Sequence, residues 1–338
     1  MEEIITSGRM NLNIDPVLHV WHWQIPIYLF LGGLAAGILF FAALYTIMDK
    51  ADKYPTAVKV APILVPFALV VGLFALLLDL KHKLYFWQLY TNIKFESPMS
   101  WGAWTLMAVT PLSIVWVASY LKELIPSIEL NSGRFSGVLK MILRPIDNAA
   151  QVNWEWKFTF LTDFENYVIK ERKSIAWIMI VLALILGVYT GILLSAFNAR
   201  PLWNTSILGP LFLVSGLSTA AAAIMLLSKN KDERILFSRI DIMLIIIELF
   251  FIIHMFMGFL ASTEVQIEAA NLFLGGAYTV PFWGLVVVLG LLVPALLEIL
   301  ELRGYHVPIL APAGLILLGG LIFRFIMVEA GQITRYLY

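Results

Sequence analysis

The sequence predicts an all-α polytopic membrane protein, a bundle of about eight transmembrane helices. Hydrophobic residues make up 60% of the 338 residues and charged residues only 14%, whereas soluble domains carry roughly 25% charged residues. The apolar residues are collected into runs of roughly twenty, the length that an α-helix needs to cross the hydrocarbon core. Eight such runs occur, at about residues 23–48, 57–79, 101–121, 175–197, 205–227, 236–260, 281–300 and 307–328.

A long polar segment, residues 122–174, separates the third and fourth of these helices. Its second half, NAAQVNWEWKFTFLTDFENYVIKERKS, mixes tryptophans with charges of both signs. This composition is too aromatic for a disordered linker and favours short amphipathic helices lying on the membrane surface, or a small extramembrane dock. We therefore expect an amphipathic insertion between helices 3 and 4, within a protein that forms a single integral membrane domain over residues 1–338.

The lysine and arginine residues predict how the protein is oriented. Connections after helices 1, 3, 5 and 7, counted together with Lys59 and Arg239 in the adjoining helix ends, contain sixteen of the 23, whereas the other connections and the two termini contain six. Because cytoplasmic loops are rich in these residues, both termini are expected outside, in the periplasm, and residues 122–174 on the cytoplasmic face of the cell (inner) membrane.

The first twenty residues lack the basic and apolar regions of a signal peptide, so the first helix is expected to remain in the protein.

Several classes of chemistry are excluded by composition. The sequence has no cysteine, so the protein cannot itself hold a thiolate-bound iron–sulfur cluster, and any cluster must lie on a partner. Of the five histidines only His254 lies deep within a predicted helix, so we expect neither haem nor another metal in this protein. The net charge of zero argues against nucleic-acid binding, and no phosphate-binding loop or dinucleotide fingerprint is present.

Ionisable residues stand where the second apolar run ends. Asp79, Lys81 and His82 occupy this position in the segment LLLDLKHKLYFW. Charged groups at such a depth are costly unless they face protein or a watery cavity, which makes them candidates for a functional site. The alternative is an interfacial cap in which the lysines extend to the headgroups.

The first helix opens with hydrogen-bonding side chains. His22, Gln24 and Tyr28 lie just inside the predicted interface, and Gln24 and Tyr28, four residues apart, share one helical face. The alternative is an aromatic belt of Trp21, Trp23 and Tyr28 that anchors the helix. Farther along the same helix, Gly33 and Gly37 form a small-xxx-small pair that allows another backbone to approach.

The fourth helix carries Tyr189 and Thr190 in an otherwise apolar span, between Gly187 and Gly191. The glycines make room for a neighbouring helix or a flat ligand, whereas hydroxyl groups in a helix can also bond to their own backbone. Both a binding role and a local structural role therefore remain open for these residues.

The sixth helix contains Asp241 and Glu248, seven residues apart and on the same helical face. Two carboxylates within a span are explained either by a proton path or by pairing with a cation, for which Arg324 of the eighth helix and Arg239 are available. Asp241 can also be an interfacial cap beside Arg239. We expect Asp241, Glu248 and Arg324 to form a proton path.

Taken together, these motifs resemble the NrfD-type membrane subunit of the polysulfide reductase family. The resemblance extends over nearly the whole sequence except residues 122–174. It rests on YLFLGGLAAG (28–37), LLLDL (76–80), SPMSWGAW (97–104), YTGILLS (189–195) with RPLW (200–203), LFLVSGLSTAAA (211–222), the helix with Asp241 and Glu248, PFWGLVVVLGLLVP (281–294) and LLGGLIFRFIMVEAGQ (317–332).

The resemblance implies a quinone-binding membrane subunit of a respiratory oxidoreductase, without haem or iron–sulfur cluster of its own. We expect menaquinone rather than ubiquinone. The implied partners are an iron–sulfur protein with cubane clusters and either a molybdopterin catalytic subunit or a multihaem cytochrome. In the family the quinone pocket lies near the outer face, among the first helices and the fourth.

The candidate residues fit the three requirements of such a site. An apolar slot holds the ring, donors meet its two carbonyl oxygens, and a titratable group exchanges protons. We expect the cofactor-binding residues to be His22, Gln24, Tyr28, Tyr189 and Thr190, with Asp79 and His82 as the catalytic proton-exchanging groups. Some family members carry a histidine at about the position of Tyr28, where this sequence offers a phenol.

The outer connections predict a partner surface. They are poor in charge and contain Trp87, Tyr90, Trp101, Trp203 and the segment 271–278, a composition that is typical of buried interface cores.

Two other functions remain as alternatives. One is a secondary transporter or proton channel that uses the acidic residues of helix six, although no internal repeat supports it. The other is a purely structural membrane anchor.

Overall fold

A computed structural model of the protein describes residues 20–126, 143–145 and 154–334. Eight helices within these residues are long and apolar enough to cross a membrane, which confirms the predicted all-α polytopic fold. The predicted boundaries differ from the observed ones by five residues at most. The helices are α1 (Gln24–Ile47), α2 (Thr56–Asp79), α3 (Pro98–Ser119), α4 (Arg172–Ser195), α5 (Leu208–Leu227), α6 (Lys231–Leu260), α7 (Val280–Leu302) and α8 (Leu310–Ile333).

Contacts between connections define the two ends of the bundle. At one end, here called the Trp21 face, the Gln332 side chain at the end of α8 accepts the Trp21 backbone N–H at 2.9 Å. At the other, the Asp49 face, Lys173 before the apolar part of α4 donates to Asp49 after α1 at 2.7 Å. The Trp21 face corresponds to the predicted outer side, and the Asp49 face carries the polar insertion. Which face is periplasmic stays a prediction.

The described part of the insertion combines a short β-ribbon with one surface helix. Strand β1 (Leu143–Pro145) pairs antiparallel with β2 (Trp154–Trp156), so that Leu143 lies opposite Trp156. A helix over Thr159–Lys170, called the surface helix below, follows and leads into α4. The surface helix agrees with an amphipathic segment at this place, whereas the ribbon was not predicted, because strands of three residues are too short to show an alternating pattern.

Helix α1 lies inside the bundle and contacts α2, α4, α5 and α8. The predicted small-residue pair faces α5, where it lets two backbones meet. A Cβ atom on Gly37 would lie 2.5 Å from the Gly216 carbonyl oxygen, and one on Gly216 would lie 2.8 Å from that of Gly33. Because the hydrophobic effect does not drive helices together within the bilayer, such close packing is a main source of helix–helix association.

One buried carboxylate has a purely structural explanation. Glu233, at the start of α6, accepts the backbone N–H groups of Thr56 and Ala57 at 3.3 and 2.8 Å and the hydroxyl of Ser228 at 2.9 Å. The N–H groups at the start of a helix have no partner within it, and an anion there is favoured by the helix dipole. Glu233 therefore fixes the start of α2 to α6.

Outer-face tryptophans do not all reach the surface. Trp101 and Trp87 are about half exposed, as a partner surface requires, but Trp203 is buried. The Trp203 indole donates to the Met327 carbonyl at 2.8 Å and packs on Trp21. The expectation that Trp203 belongs to a docking surface was therefore wrong. A tryptophan near the interface can bury its ring and satisfy its N–H on a neighbouring helix, and the sequence does not distinguish the two arrangements.

The close contact of α1 and α5 leads to a stability prediction. Gly216→Ala should lower the free energy of unfolding by about 1–3 kcal/mol, because the added methyl group overlaps the backbone of α1 and forces the helices apart. Gly314→Ala, in α8, is the matched control, since a Cβ there meets nothing within 4 Å. Unfolding in mixed detergent micelles, followed by tryptophan fluorescence, measures both; equal stability of the two variants would contradict the prediction.

Candidate functional site

Two tyrosines from different helices meet in the half of the bundle nearer the Trp21 face. Tyr28 of α1 and Tyr189 of α4 are buried, and their hydroxyls form a hydrogen bond with each other. Gly102 of α3 creates the space for this pair, because a Cβ there would lie 1.9 Å from Cζ of Tyr189. Gly72 of α2 packs against the Tyr28 ring, with its Cβ position 3.7 Å from Cδ2. Four helices thus surround two phenols.

An apolar groove leads from Tyr189 to the outside of the bundle. It has a volume of about 530 Å³ and lies between the start of α3 and the outer half of α4. Two of its walls, Ile185 and Ile192, are exposed on the bundle surface, where the hydrocarbon chains of lipids would be, and a third, Trp101, is exposed at the end nearer the Trp21 face. The remaining lining residues are Phe95, Glu96, Pro98, Leu184, Val188 and Tyr189 itself.

A second apolar cavity lies on the other side of the tyrosine pair. It has a volume of about 360 Å³ and is formed by α2 and the segment after it, from Val70 to Tyr90. Tyr90 is close enough to Tyr28 to interact with it electrostatically. Burial raises the pKa of the Tyr90 phenol above its ordinary value, so the group stays protonated near neutral pH and can donate a hydrogen bond.

The other predicted outer residues are only partly brought together. Asp79 is half-buried and interacts electrostatically with His22. Gln24 has a buried side-chain oxygen with no hydrogen-bond partner among the described residues. His82 is exposed and lies apart, in a polar cavity of about 440 Å³ that it shares with Lys81.

Thr190 has a local partner. Its hydroxyl is buried and donates to the Gly187 carbonyl of the same helix at 2.7 Å, the arrangement that satisfies hydroxyl groups in helices. Its methyl group faces Gly32 of α1, whose Cβ position is 3.5 Å away. Thr190 thus packs α4 against α1 directly beside the tyrosine pair.

A second polar cluster lies deeper, around Arg324. This arginine is completely buried and donates to the Ser215 hydroxyl at 2.5 Å and to the carbonyls of Gly320 and Phe212 at 3.0 and 3.3 Å. Glu248 feels the charge of Arg324 and shares a hydrogen bond with Ser215. Among the ion pairs of the described ranges, none joins Arg324 to Glu248 directly. Ser215 therefore connects the two charges.

Two further carboxyl groups meet between this cluster and the Asp49 face. Asp241 of α6 and Glu298 of α7 are both fully buried and interact with each other, with Ser218 alongside. Asp241 lies within hydrogen-bonding reach of Ser218 and Glu298, but these contacts are not well aligned within the described part of the protein. Arg239, the expected neighbour of Asp241, is exposed, so Asp241 is not an interfacial cap beside it.

Glu298 and its neighbour Glu301 were not among the predicted site residues. Glu301 lies one turn nearer the Asp49 face, is half-buried and interacts with Glu298. The available signal was the spacing of three in EILEL, which puts both acids on one side of a helix. At the end of a predicted span, however, acids are ordinarily interfacial, and only the position of α6 shows that Glu298 is buried.

Comparison with known proteins then gives the family. A family model described as "Polysulphide reductase, NrfD" matches residues 11–335. The sequence is 31% identical over 328 residues to Protein NrfD of Escherichia coli K12, covering 93% of this protein and 96% of the relative. It is also 28% identical to the C subunit of polysulfide reductase from Wolinella succinogenes over 327 residues, 93% of this protein and 94% of that one. Among the described residues, no group of histidines and acids could hold a metal ion.

The buried arginine yields a prediction about folding. Arg324→Met should lower the free energy of unfolding by about 3–5 kcal/mol, because it leaves the Glu248 carboxylate without its compensating charge. The double variant Arg324→Met/Glu248→Leu should recover much of this loss, since neither charge of this pair is then buried. Arg239→Met, on the exposed side of α6, is the control and should be close to neutral. Detergent unfolding curves measure all three, and a single variant as stable as the control would contradict the pairing.

Proposed function

This protein belongs to the polysulphide reductase NrfD family, and from that membership we propose that it is the quinone-binding membrane subunit of a respiratory oxidoreductase. In this role it exchanges electrons between the quinone pool, menaquinone rather than ubiquinone, and an iron–sulfur partner with cubane clusters. That partner would in turn serve a molybdopterin subunit or a multihaem cytochrome. One relative carries the name of a component of polysulfide reductase, which supports a place within a multisubunit enzyme.

The observation that carries the proposal is the pair of phenols at the end of a lipid-side groove. A quinone has a flat ring, two carbonyl oxygens and a long apolar tail, and when bound it supplies reversible two-electron, two-proton chemistry. The groove beside Tyr189 is apolar and about 530 Å³ in volume, within the range of ligand sites. Tyr189 lines its inner end and can donate a hydrogen bond there, and Tyr28 lies behind it, hydrogen-bonded to Tyr189. The Gln24 oxygen, which has no partner among the described residues, lies on the face of α1 that carries Tyr28.

Each predicted site residue has a specific role in this proposal. Tyr28 and Tyr189 orient a carbonyl oxygen, and Thr190 fixes α4 against α1 so that the phenols keep their positions. Asp79, half-buried and coupled to His22, is suited to move a proton between the site and the Trp21 face. His82 is exposed and separate, so we assign it to proton exchange with solvent rather than to contact with the ring.

We further propose that Arg324, Glu248 and Asp241 carry protons toward the Asp49 face. The support is the series of buried groups that continues from Ser215 and Glu248 through Asp241 and Glu298. Carboxyl groups within a span are costly, and two buried carboxyl groups that face each other with poorly aligned hydrogen bonds gain little stability that leucine would not supply better. With the quinone site near the Trp21 face, proton movement along this series would transfer charge across the membrane.

The same buried acids would serve the alternative function, a proton channel or secondary transporter. The two differ in what accompanies the protein. A redox subunit should co-purify in mild detergent with an iron–sulfur protein, docked on the Trp21 face, where Trp87, Trp101 and Phe86 are about half exposed. Recovery of the intact protein without any redox partner would favour transport. The proposed orientation has both termini in the periplasm and the insertion in the cytoplasm.

The tyrosine pair gives the first functional prediction. Tyr28→Phe or Tyr189→Phe should lower quinone-coupled turnover of the purified complex several-fold, because one hydrogen bond is worth about 0.5–1.5 kcal/mol. Reduction of an artificial dye by the partner subunits should be unchanged. Tyr45→Phe is the matched control, since Tyr45 is a buried tyrosine at the other end of α1. Equal loss of dye and quinone activity would show an assembly defect instead of a binding site, and comparing menaquinol and ubiquinol analogues tests the quinone preference.

The buried acids Glu248 and Glu298 give the second functional prediction. Glu248→Gln and Glu298→Gln keep size and hydrogen bonding but cannot carry a proton, so proteoliposomes with the complex should lose proton translocation. Glu264→Gln, an exposed acid on the Trp21 face, is the control. A pH-sensitive dye inside the liposomes measures translocation while quinone turnover is followed in parallel. If either variant assembles normally and retains both full turnover and translocation, that carboxyl group is structural.

A further inference from the structure

The surface helix Thr159–Lys170 presents an aromatic stripe that no other described segment covers. Phe160, Phe164 and Tyr167 follow a spacing of four and three residues, so they share one face. They are 65%, 49% and 63% exposed. Three large rings side by side on a helix outside the eight spans are unusual for a surface in water, since aromatic residues are enriched at interfaces.

The rest of the helix is divided between protein and water. The buried side carries Glu165 and Val168. The Glu165 carboxylate accepts the Lys122 ammonium at 2.5 Å and the Trp156 indole N–H at 3.1 Å, which ties the helix to the end of α3 and to β2. On the helical wheel, 100° per residue, the aromatic stripe is adjacent to this buried side, and Asp163, Asn166 and Lys170 occupy the remaining, polar side.

The stripe is continuous with the surface of α4 that faces lipid. Only Glu171 separates the surface helix from α4, whose first turns expose Trp177 (60%), Ile178 and Val181 on the outside of the bundle. On the outside of a membrane-spanning helix, such residues face the hydrocarbon or its boundary. The aromatic stripe therefore lies within a few residues of the level at which the bilayer begins.

We propose that the surface helix lies in the plane of the membrane on the Asp49 face and inserts Phe160, Phe164 and Tyr167 between the headgroups and acyl chains of the lipid. Phenylalanine and tyrosine are suited to this level, and in-plane helices bury one apolar side to about 5–10 Å. Exposed Lys157 and Lys170, just before and at the end of the helix, are suited to anionic headgroups such as phosphatidylglycerol. The occupant of the stripe is thus lipid, and this proposal does not depend on quinone chemistry.

The absence of cysteine from the sequence permits a direct test in the full-length protein. Single cysteines at Phe160, Phe164 and Tyr167, and in parallel at Asp163, Asn166 and Lys170, are spin-labelled and reconstituted in nanodiscs of phosphatidylethanolamine and phosphatidylglycerol. Ile178→Cys, on lipid-facing α4, is the reference for the hydrocarbon. Relaxation by oxygen reports lipid exposure, and relaxation by a water-soluble nickel chelate reports water exposure.

We expect labels at the three aromatic positions to relax with oxygen, as at Ile178, and those at the polar positions to relax with the nickel chelate, which gives a helical period in depth. If all six positions relax with the nickel chelate, the stripe is in water and the proposal is wrong. Shielding of the aromatic positions from both reagents would mean that protein covers them, which also overturns it.

A second comparison tests the charge component. Lys157→Gln/Lys170→Gln, with the label at Phe164→Cys, should lie measurably shallower than the parent in phosphatidylglycerol discs. The two should be equal in discs of neutral phosphatidylcholine. Equal depth in both lipids would overturn the role of anionic headgroups.

Discussion

The bilayer interior offers no hydrogen-bond partner, and this constraint decides how every polar group in the bundle is to be interpreted. Glu233 meets it with two backbone N–H groups and a serine, and Thr190 meets it within its own helix. Such residues are fully explained by structure. Asp241 and Glu298 meet it poorly, because their buried oxygens face each other and Ser218 without well-aligned hydrogen bonds within the described ranges. The same residue type thus supports different conclusions at different places, and the partners make the difference.

Helix α1 brings the two polar clusters within reach of each other. Tyr28 of α1 belongs to the tyrosine pair. Gly33, five residues farther along the same helix, lies against Arg324, whose Nη2 would be 3.5 Å from a Cβ at that position. Five residues of α-helix span roughly 7.5 Å. A Cβ at position 33 would be in van der Waals contact with the guanidinium, so a side chain larger than alanine would crowd it. The requirement for small residues on α1 therefore serves both the packing on α5 and the approach of the deep cluster to the outer site.

The spans could be predicted because hydrophobicity and length report on depth in the membrane. Depth also identified Tyr28, Tyr189, Glu248 and Arg324 as unusual groups. The contacts of these groups with residues on other helices could not be predicted, since they depend on the rotation of each helix about its axis. The position of Glu298 near the end of a span is typical of an interfacial acid, and only the packing of α6 against α7 shows that it is buried.

The same limit explains the remaining differences. Gly102 carries no chemical signal, although it makes room for Tyr189. Trp203 had the composition of a surface anchor and is buried instead. His22, Gln24 and Asp79 were expected in one site because their depths agree; Asp79 interacts with His22, but depth alone does not determine which side chains meet. The sequence therefore specified which layer of the membrane holds each polar group, and the packing of the helices specified which of them meet.

The way Arg324 is held bears on whether the deep cluster can carry protons. A direct ion pair between arginine and glutamate would hold the carboxylate in its charged form, because removing the charge would leave the arginine uncompensated. Here Ser215 lies between them and accepts from the guanidinium, and the carbonyls of Gly320 and Phe212 accept from two further N–H groups, whereas Nε has no partner among the described residues. The hydrogen bonds that hold the arginine in place therefore do not come from Glu248. A hydroxyl can donate to a carboxylate or accept from a carboxylic acid, so the serine can remain bonded in either state of Glu248. The geometry therefore favours a carboxyl group that changes its protonation over one that is locked in a salt bridge.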